Sequence, residues 1–191
     1  MSYNLVEKVQ QNLGYPPLQK MDPNTDEAKN HKPVDAFPQA VLSAVLTALY
    51  RYVQSDEGAE NFLRIANATD WADEIFDEHK DDAAEKIADY ANQSEAEVES
   101  ETSVIVNETK KIVREILTDK ATIKDVKNFF TNERNNIVAY LPPALHMGDW
   151  LNDTALDDNT NKMEGPISSL MHSIGNVFSN PVTKDETEAH K

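Results

Sequence analysis

The run A-V-L-S-A-V-L-T-A-L-Y at residues 40–50 decides the fold class. On a helix of 3.6 residues per turn its alanines, valines and leucines point to every side. A helix that is apolar all round is buried all round. Pro38 stands just before the run, in a first helical turn where a missing N–H costs nothing. The sequence therefore predicts a central helix from about Pro38 to Val53, with the rest of the chain packed about it. The run itself is too short to span a bilayer.

Outward from that helix, caps and apolar stripes recur. Asn4 caps a helix to Leu13 that carries Leu5, Val9 and Leu13 on one side and stops at Gly14. Residues 15–35, with Y-P-P and D-P-N-T, lack any periodic pattern and predict an extended, mobile connector. Ser55 caps a helix that packs Phe62, Leu63, Ile65 and Ala66. Thr69 with Asp73 caps the next, which contains Trp71, Ile75 and Phe76. D-D-A-A-E-K-I-A-D-Y-A-N-Q follows as a short helix buried through Ala84, Ile87, Ala88 and Tyr90. Ser94 and Glu97 form an S-x-x-E capping box that opens the longest helix, to about Thr118. Its seam is Val98, Thr102, Ile105, Thr109, Ile112 and Ile116, about three heptads long, which suits an intramolecular bundle. Thr122 with Asp125 opens a further helix over Ile123, Val126, Phe129 and Phe130. Another starts near Asn132 and is stopped by Pro142 and Pro143. The second proline can start a short helix A-L-H-M-G-D-W-L, and Pro166 a last one through Ile167, Leu170, Met171, Ile174 and Phe178.

No segment alternates with period two, so the expected fold is all-α. It is a compact bundle of about seven to nine helices around a buried central helix. Residues 1–178 form one domain, and 179–191 are a disordered polar tail.

The order of these features resembles the YidB-like family of uncharacterised bacterial proteins over about residues 38–117. The likeness is carried by A-V-L-S-A-V-L-T-A-L-Y-R-Y-V-Q-S-D-E-G-A-E-N-F-L and by I-A-D-Y-A-N-Q-S-E-A-E-V feeding a long apolar helix. Those proteins show a similar small-and-leucine helix, an E-G-A or E-G-G turn opening the next helix, and a polar turn with S-x-x-x-V. The resemblance implies an all-helical cytoplasmic protein and transfers no catalytic residue.

The formal charge is -16. It opposes nonspecific contact with nucleic acid or an anionic membrane, whose phosphates would be repelled. Residues 55–101 hold 16 Asp and Glu against 3 Lys and Arg, so this quarter of the chain carries -13 of that charge. A later basic run, Lys110, Lys111, Arg114, Lys120, Lys124 and Lys127, could neutralise it within the fold. The block equally suits an organism or compartment that favours acidic surfaces, or a partner with a basic surface. Carboxylates at Asp73/Asp77, Glu74/Glu78, Asp77/Asp81 and Glu78/Asp82 are spaced four apart on what reads as solvated helix. Nothing apolar is there to separate their pKa values for acid–base work. There is no cysteine, which removes disulfides and thiolate chemistry. The start M-S-Y-N-L-V-E-K-V lacks a secretory pattern, so the expected location is cytoplasmic.

One loop invites a metal. With Asp153 as position 1 of a calcium loop, Asp157, Asn159, Asn161 and Glu164 fall at positions 5, 7, 9 and 12. Ala155 then occupies ligand position 3, and Asp158 the position glycine needs. A start at Asp157 leaves Lys162 at the glycine position and Ser168 at position 12. The rival reading is a polar connector of Asx-turns. His31, His79, His146, His172 and His190 form no H-E-x-x-H or E-x-x-H pair. His146 and Asp149 could share a face of the short helix, with His172 converging on the same loop as a minor enzymatic alternative. The expected function is non-enzymatic and cofactor-free, exercised through protein–protein contacts at the acidic surface. The alternative is weak calcium binding by residues 153–164.

Overall fold

The computed structural model describes residues 3–21, 35–64, 70–118 and 120–148. All of them fall within one unit of the chain, 1–159. The boundary at 178, the polar tail, the helix from Pro166 and the 153–164 loop lie outside the described residues. Among the described residues the fold is all-helical, with no strand. The helices are α1 (Leu5–Leu13), α2 (Ala36–Tyr52), α3 (Asp56–Arg64), α4 (Trp71–Phe76), α5 (Lys80–Ala91), α6 (Glu95–Leu117) and α7 (Ile123–Val138). Short 3-10 turns occupy Asp77–His79 and Pro143–Leu145.

Every residue of α2 from Gln39 to Leu49 is buried. It packs against α1, α4, α5, α6 and α7. Its buried hydroxyls are satisfied inside the helix: Ser43 donates to the Gln39 carbonyl at 2.6 Å and Thr47 to the Ser43 carbonyl at 2.7 Å. A buried hydroxyl without such a bond would cost about 1–3 kcal/mol.

The predicted caps at several helix starts are present. Asn4 accepts the Glu7 N–H and Gly14 closes α1 at φ 72°. Ser55 accepts the Gly58 N–H at 2.8 Å. Reciprocal capping boxes join Ser94 to Glu97 and Thr122 to Asp125. The cap of α4 is shifted by one residue from the expected Thr69. Asp70 accepts the Ala72 N–H at 3.1 Å, because a carboxylate one residue nearer the first turn takes that role.

Four expectations are corrected. The break expected near Asn132 is absent, and α7 runs unbroken to Val138. Glu133 occupies the core stripe between Phe130 and Ile137, which mimics an interruption. It is buried because its carboxylate accepts the Leu5 N–H at 2.8 Å and the Asn136 amide at 3.0 Å, which places a negative charge at the amino end of α1. The seam of α6 is buried from Val98 to Ile112, but Ile116 is 41% exposed, while its neighbour Leu117 is the side chain of the last turn that packs against the core. Of the connector, residues 15–21 have no regular secondary structure and are anchored, and 22–34 lie outside the described residues. Gln19 exchanges two hydrogen bonds with the Gln39 side chain, and the Met21 N–H donates to Ala139 at 2.8 Å. Finally, the helix expected after Pro143 is interrupted. Pro143–Leu145 is a 3-10 turn closed by His146 in the left-handed region at φ 47°.

Candidate functional site

The acidic block forms a ridge. On α5 the residues Ala83, Ala84, Ile87, Ala88 and Tyr90 face the core. Asp81, Asp82, Glu85 and Asp89 therefore point to solvent, and Asp73, Asp77, Glu78, Glu95 and Glu97 are exposed on either side of them. The supposed continuous helical spacing of Asp73/Asp77 and Glu74/Glu78 is broken, because Asp77 adopts φ 50° and starts a 3-10 turn. Glu74 is instead half-buried and accepts the Tyr52 hydroxyl at 2.8 Å. Burial first, with that carboxylate adding to it, pushes the Tyr52 phenol up to about 12. Lys80 bridges Asp73 at 2.8 Å and Glu99 at 3.3 Å, and the hydrogen bonds it donates to these two carboxylates hold its ammonium above the usual lysine range. Like charges four apart on a helix repel by a few tenths of a kcal/mol per pair, about 0.2–0.5. A cationic partner would relieve that repulsion.

Four members of the basic run are engaged away from this ridge. Lys127 reaches Asp56 on α3, Lys111 pairs with Glu108 on its own helix at 3.6 Å, and Arg114 donates to the Leu63 carbonyl at 3.0 Å. Lys110 is buried, only 1% exposed, with its ammonium 5.3 Å from the centre of the Trp71 ring. The Trp71 indole N–H donates to the Asn107 amide oxygen at 3.1 Å. A sequence signal for this was present: Lys110 is four residues after Val106 and three before Val113, both buried, so it shares their edge of α6. Only the packing of α4 on α6 shows that Trp71 covers it.

Burial, with Arg114 as a neighbouring like charge, pushes the Lys110 ammonium down to about 8. An unfolded lysine ionises near 10.4. Above the folded value the unfolded chain therefore binds more protons, and stability rises with pH. Between about pH 7.5 and about 9.5 the protein is expected to gain about 1–2 kcal/mol from this group. Urea unfolding at the two pH values should show that gain in the parent and its absence in Lys110→Met. Equal pH dependence in both would refute the assignment.

Lys110, Lys111, Arg114 and Asn107 also line an open groove of about 650 Å³ along α6, with Leu13 and Val104 toward its other end. His146 is exposed and lies apart from this groove. It belongs to no helix that could aim it with Asp149, and Asp149 and His172 lie outside the described residues. The same is true of Asp153, Asp157, Asn159, Asn161 and Glu164. Among the described residues, no group of three or more His, Asp or Glu is placed to hold a metal ion. No helix among them is long and apolar enough to cross a membrane. Comparison with protein-family models, curated proteins and solved structures finds no match.

Proposed function

We propose that the chain is a non-catalytic, cytoplasmic binding protein whose acidic ridge, from Asp73 through α5 to Glu97, docks a protein partner with a basic surface. The observation that carries this reading is the division of α5: one side is sealed in the core, and the other is a row of exposed carboxylates. The sequence contains only Lys80 and Lys86 as cations between residues 70 and 101. Opposite charge across such a contact steers association and sets orientation more than it adds raw affinity.

The bundle of about seven to nine helices around α2 belongs to the same proposal. So does the likeness to YidB-like proteins over residues 38–117. The burial of α2 from Gln39 to Leu49 supports that architecture. In it the core helices act as a rigid frame for the ridge.

The test is capture on the immobilised protein. A partner bound by the ridge should be released as salt rises from about 50 to about 500 mM, because exposed charges are screened over a few ångströms at the higher value. The combined change Asp77→Lys, Asp81→Lys and Glu85→Lys should weaken capture about tenfold or more, or about 1.4 kcal/mol. Glu115→Lys, away from the ridge, should leave it unchanged. Capture that withstands both salt and charge reversal would refute the reading.

A further inference from the structure

The groove on α6 has a polarity that the acidic ridge lacks. Val104, 43% exposed, and Leu13, half-buried at the end of α1, are the apolar side chains of its lining. Lys111 and Arg114 lie seven and ten residues farther along α6. At 1.5 Å per residue, Arg114 is about 15 Å from Val104 along the helix axis. Lys110 lies beneath this basic end, with its ammonium against Trp71, and Asn107 stands midway. Two carboxylates also line the groove, Glu108 and Glu115. Glu108 is engaged by the Asn12 amide at 2.6 Å and by Lys111 at 3.6 Å. The volume of about 650 Å³ is within the range of small-molecule sites.

From this arrangement we infer that the α6 groove binds an amphipathic carboxylate, its headgroup at Lys111 and Arg114 over the buried Lys110, and its apolar chain along Val104 and Leu13. Each half of the ligand has a counterpart. A carboxylate receives charge-assisted hydrogen bonds from the guanidinium and ammonium groups, in a chain whose overall charge would otherwise repel it. The tail covers Val104, which now faces water, and the outer part of Leu13. The site is independent of the acidic ridge, so neither stands or falls with the other.

The probe is decanoate, titrated below its aggregation threshold into the full chain labelled with ¹⁵N. Saturable amide shifts should centre on α6 from Val104 to Glu115 and on Leu13. Octanoate should bind about fivefold more weakly, because the two methylenes it lacks are about half covered in an open groove. Acetate, without the tail, and decanol, without the charge, should each bind about tenfold or more weakly. The exposed pair Lys111→Glu and Arg114→Glu should weaken decanoate by a similar factor, and Val104→Asn should weaken it less. Circular dichroism checks that these surface variants keep their helical content. The inference is overturned if decanoate gives no saturable shift on α6, if acetate or decanol matches it, or if the charge-reversed pair binds it as well as the parent does.

Discussion

Replacing Gly58 by alanine is expected to lower the melting temperature by about 10 °C. A Cβ at this position would stand 2.0 Å from the Tyr52 carbonyl oxygen and 2.8 Å from the Ser55 hydroxyl oxygen. The first of these is backbone at the end of α2, and the second is the cap that holds the Gly58 N–H. The backbone oxygen cannot yield, and the serine hydroxyl can rotate away only by giving up its cap, so the tight turn from α2 into α3 must open. That opening pulls Ala59 and Phe62 away from the core, where Phe62 meets Phe130 edge-on at 5.5 Å. Overpacking of this kind costs about 3 kcal/mol. In a chain of this size each kcal/mol moves the midpoint by about 2–4 °C. Gly14→Ala is the contrast: its φ is 72° but nothing lies within 4 Å of the added carbon, so only the left-handed backbone penalty applies, about 1 kcal/mol. Thermal unfolding followed at 222 nm separates the two, and a Gly58→Ala loss no larger than that of Gly14→Ala would contradict the turn geometry.

The second large effect is expected at Gln39. Its side-chain oxygen accepts the Gln19 N–H at 2.8 Å, while its nitrogen donates to the Gln19 carbonyl at 3.0 Å and to the Tyr140 carbonyl at 2.6 Å. One amide thus ties the extended segment after α1 to α2 and to the end of α7. Gln39→Leu keeps the volume and removes all three bonds. The Tyr140 carbonyl is left buried without this partner, while the Gln19 peptide can return to water. The expected loss is about 2–4 kcal/mol. Hydrogen exchange at Gln19 and Met21 should accelerate in the same variant, because the clamp holds that segment down. A loss below about 1 kcal/mol with unchanged exchange would show that the clamp is not what anchors it.

These two sites mark the boundary of what could be read before folding. Gly58 reads as part of an E-G-A turn, since a helix-starting serine three residues earlier is a local signal. Gln39 gives no such signal: its partners lie 20 and 101 residues away. The same division holds elsewhere. The boxes Ser94–Glu97 and Thr122–Asp125 are local and were legible, as was the uniformly apolar α2. Glu133 gives no local sign of its place, because its buried carboxylate answers to the amino end of α1, 128 residues away. The acidic ridge was legible as composition, and its one-sidedness followed from the spacing of Ala84, Ile87 and Ala88. Lys110 was read as one cation among several, because only tertiary packing sets it against Trp71. The α6 groove was invisible for the same reason, being made by α1 and α6 together.

The most direct test of the central claim is a footprint of the captured basic partner on this chain, by ¹⁵N amide shifts at low salt with assignments along α4, α5 and the start of α6. The account predicts shifts concentrated between Asp73 and Glu97 that disappear in the Asp77→Lys, Asp81→Lys, Glu85→Lys variant. Shifts confined to other faces, with the ridge silent while the partner is bound, would contradict it.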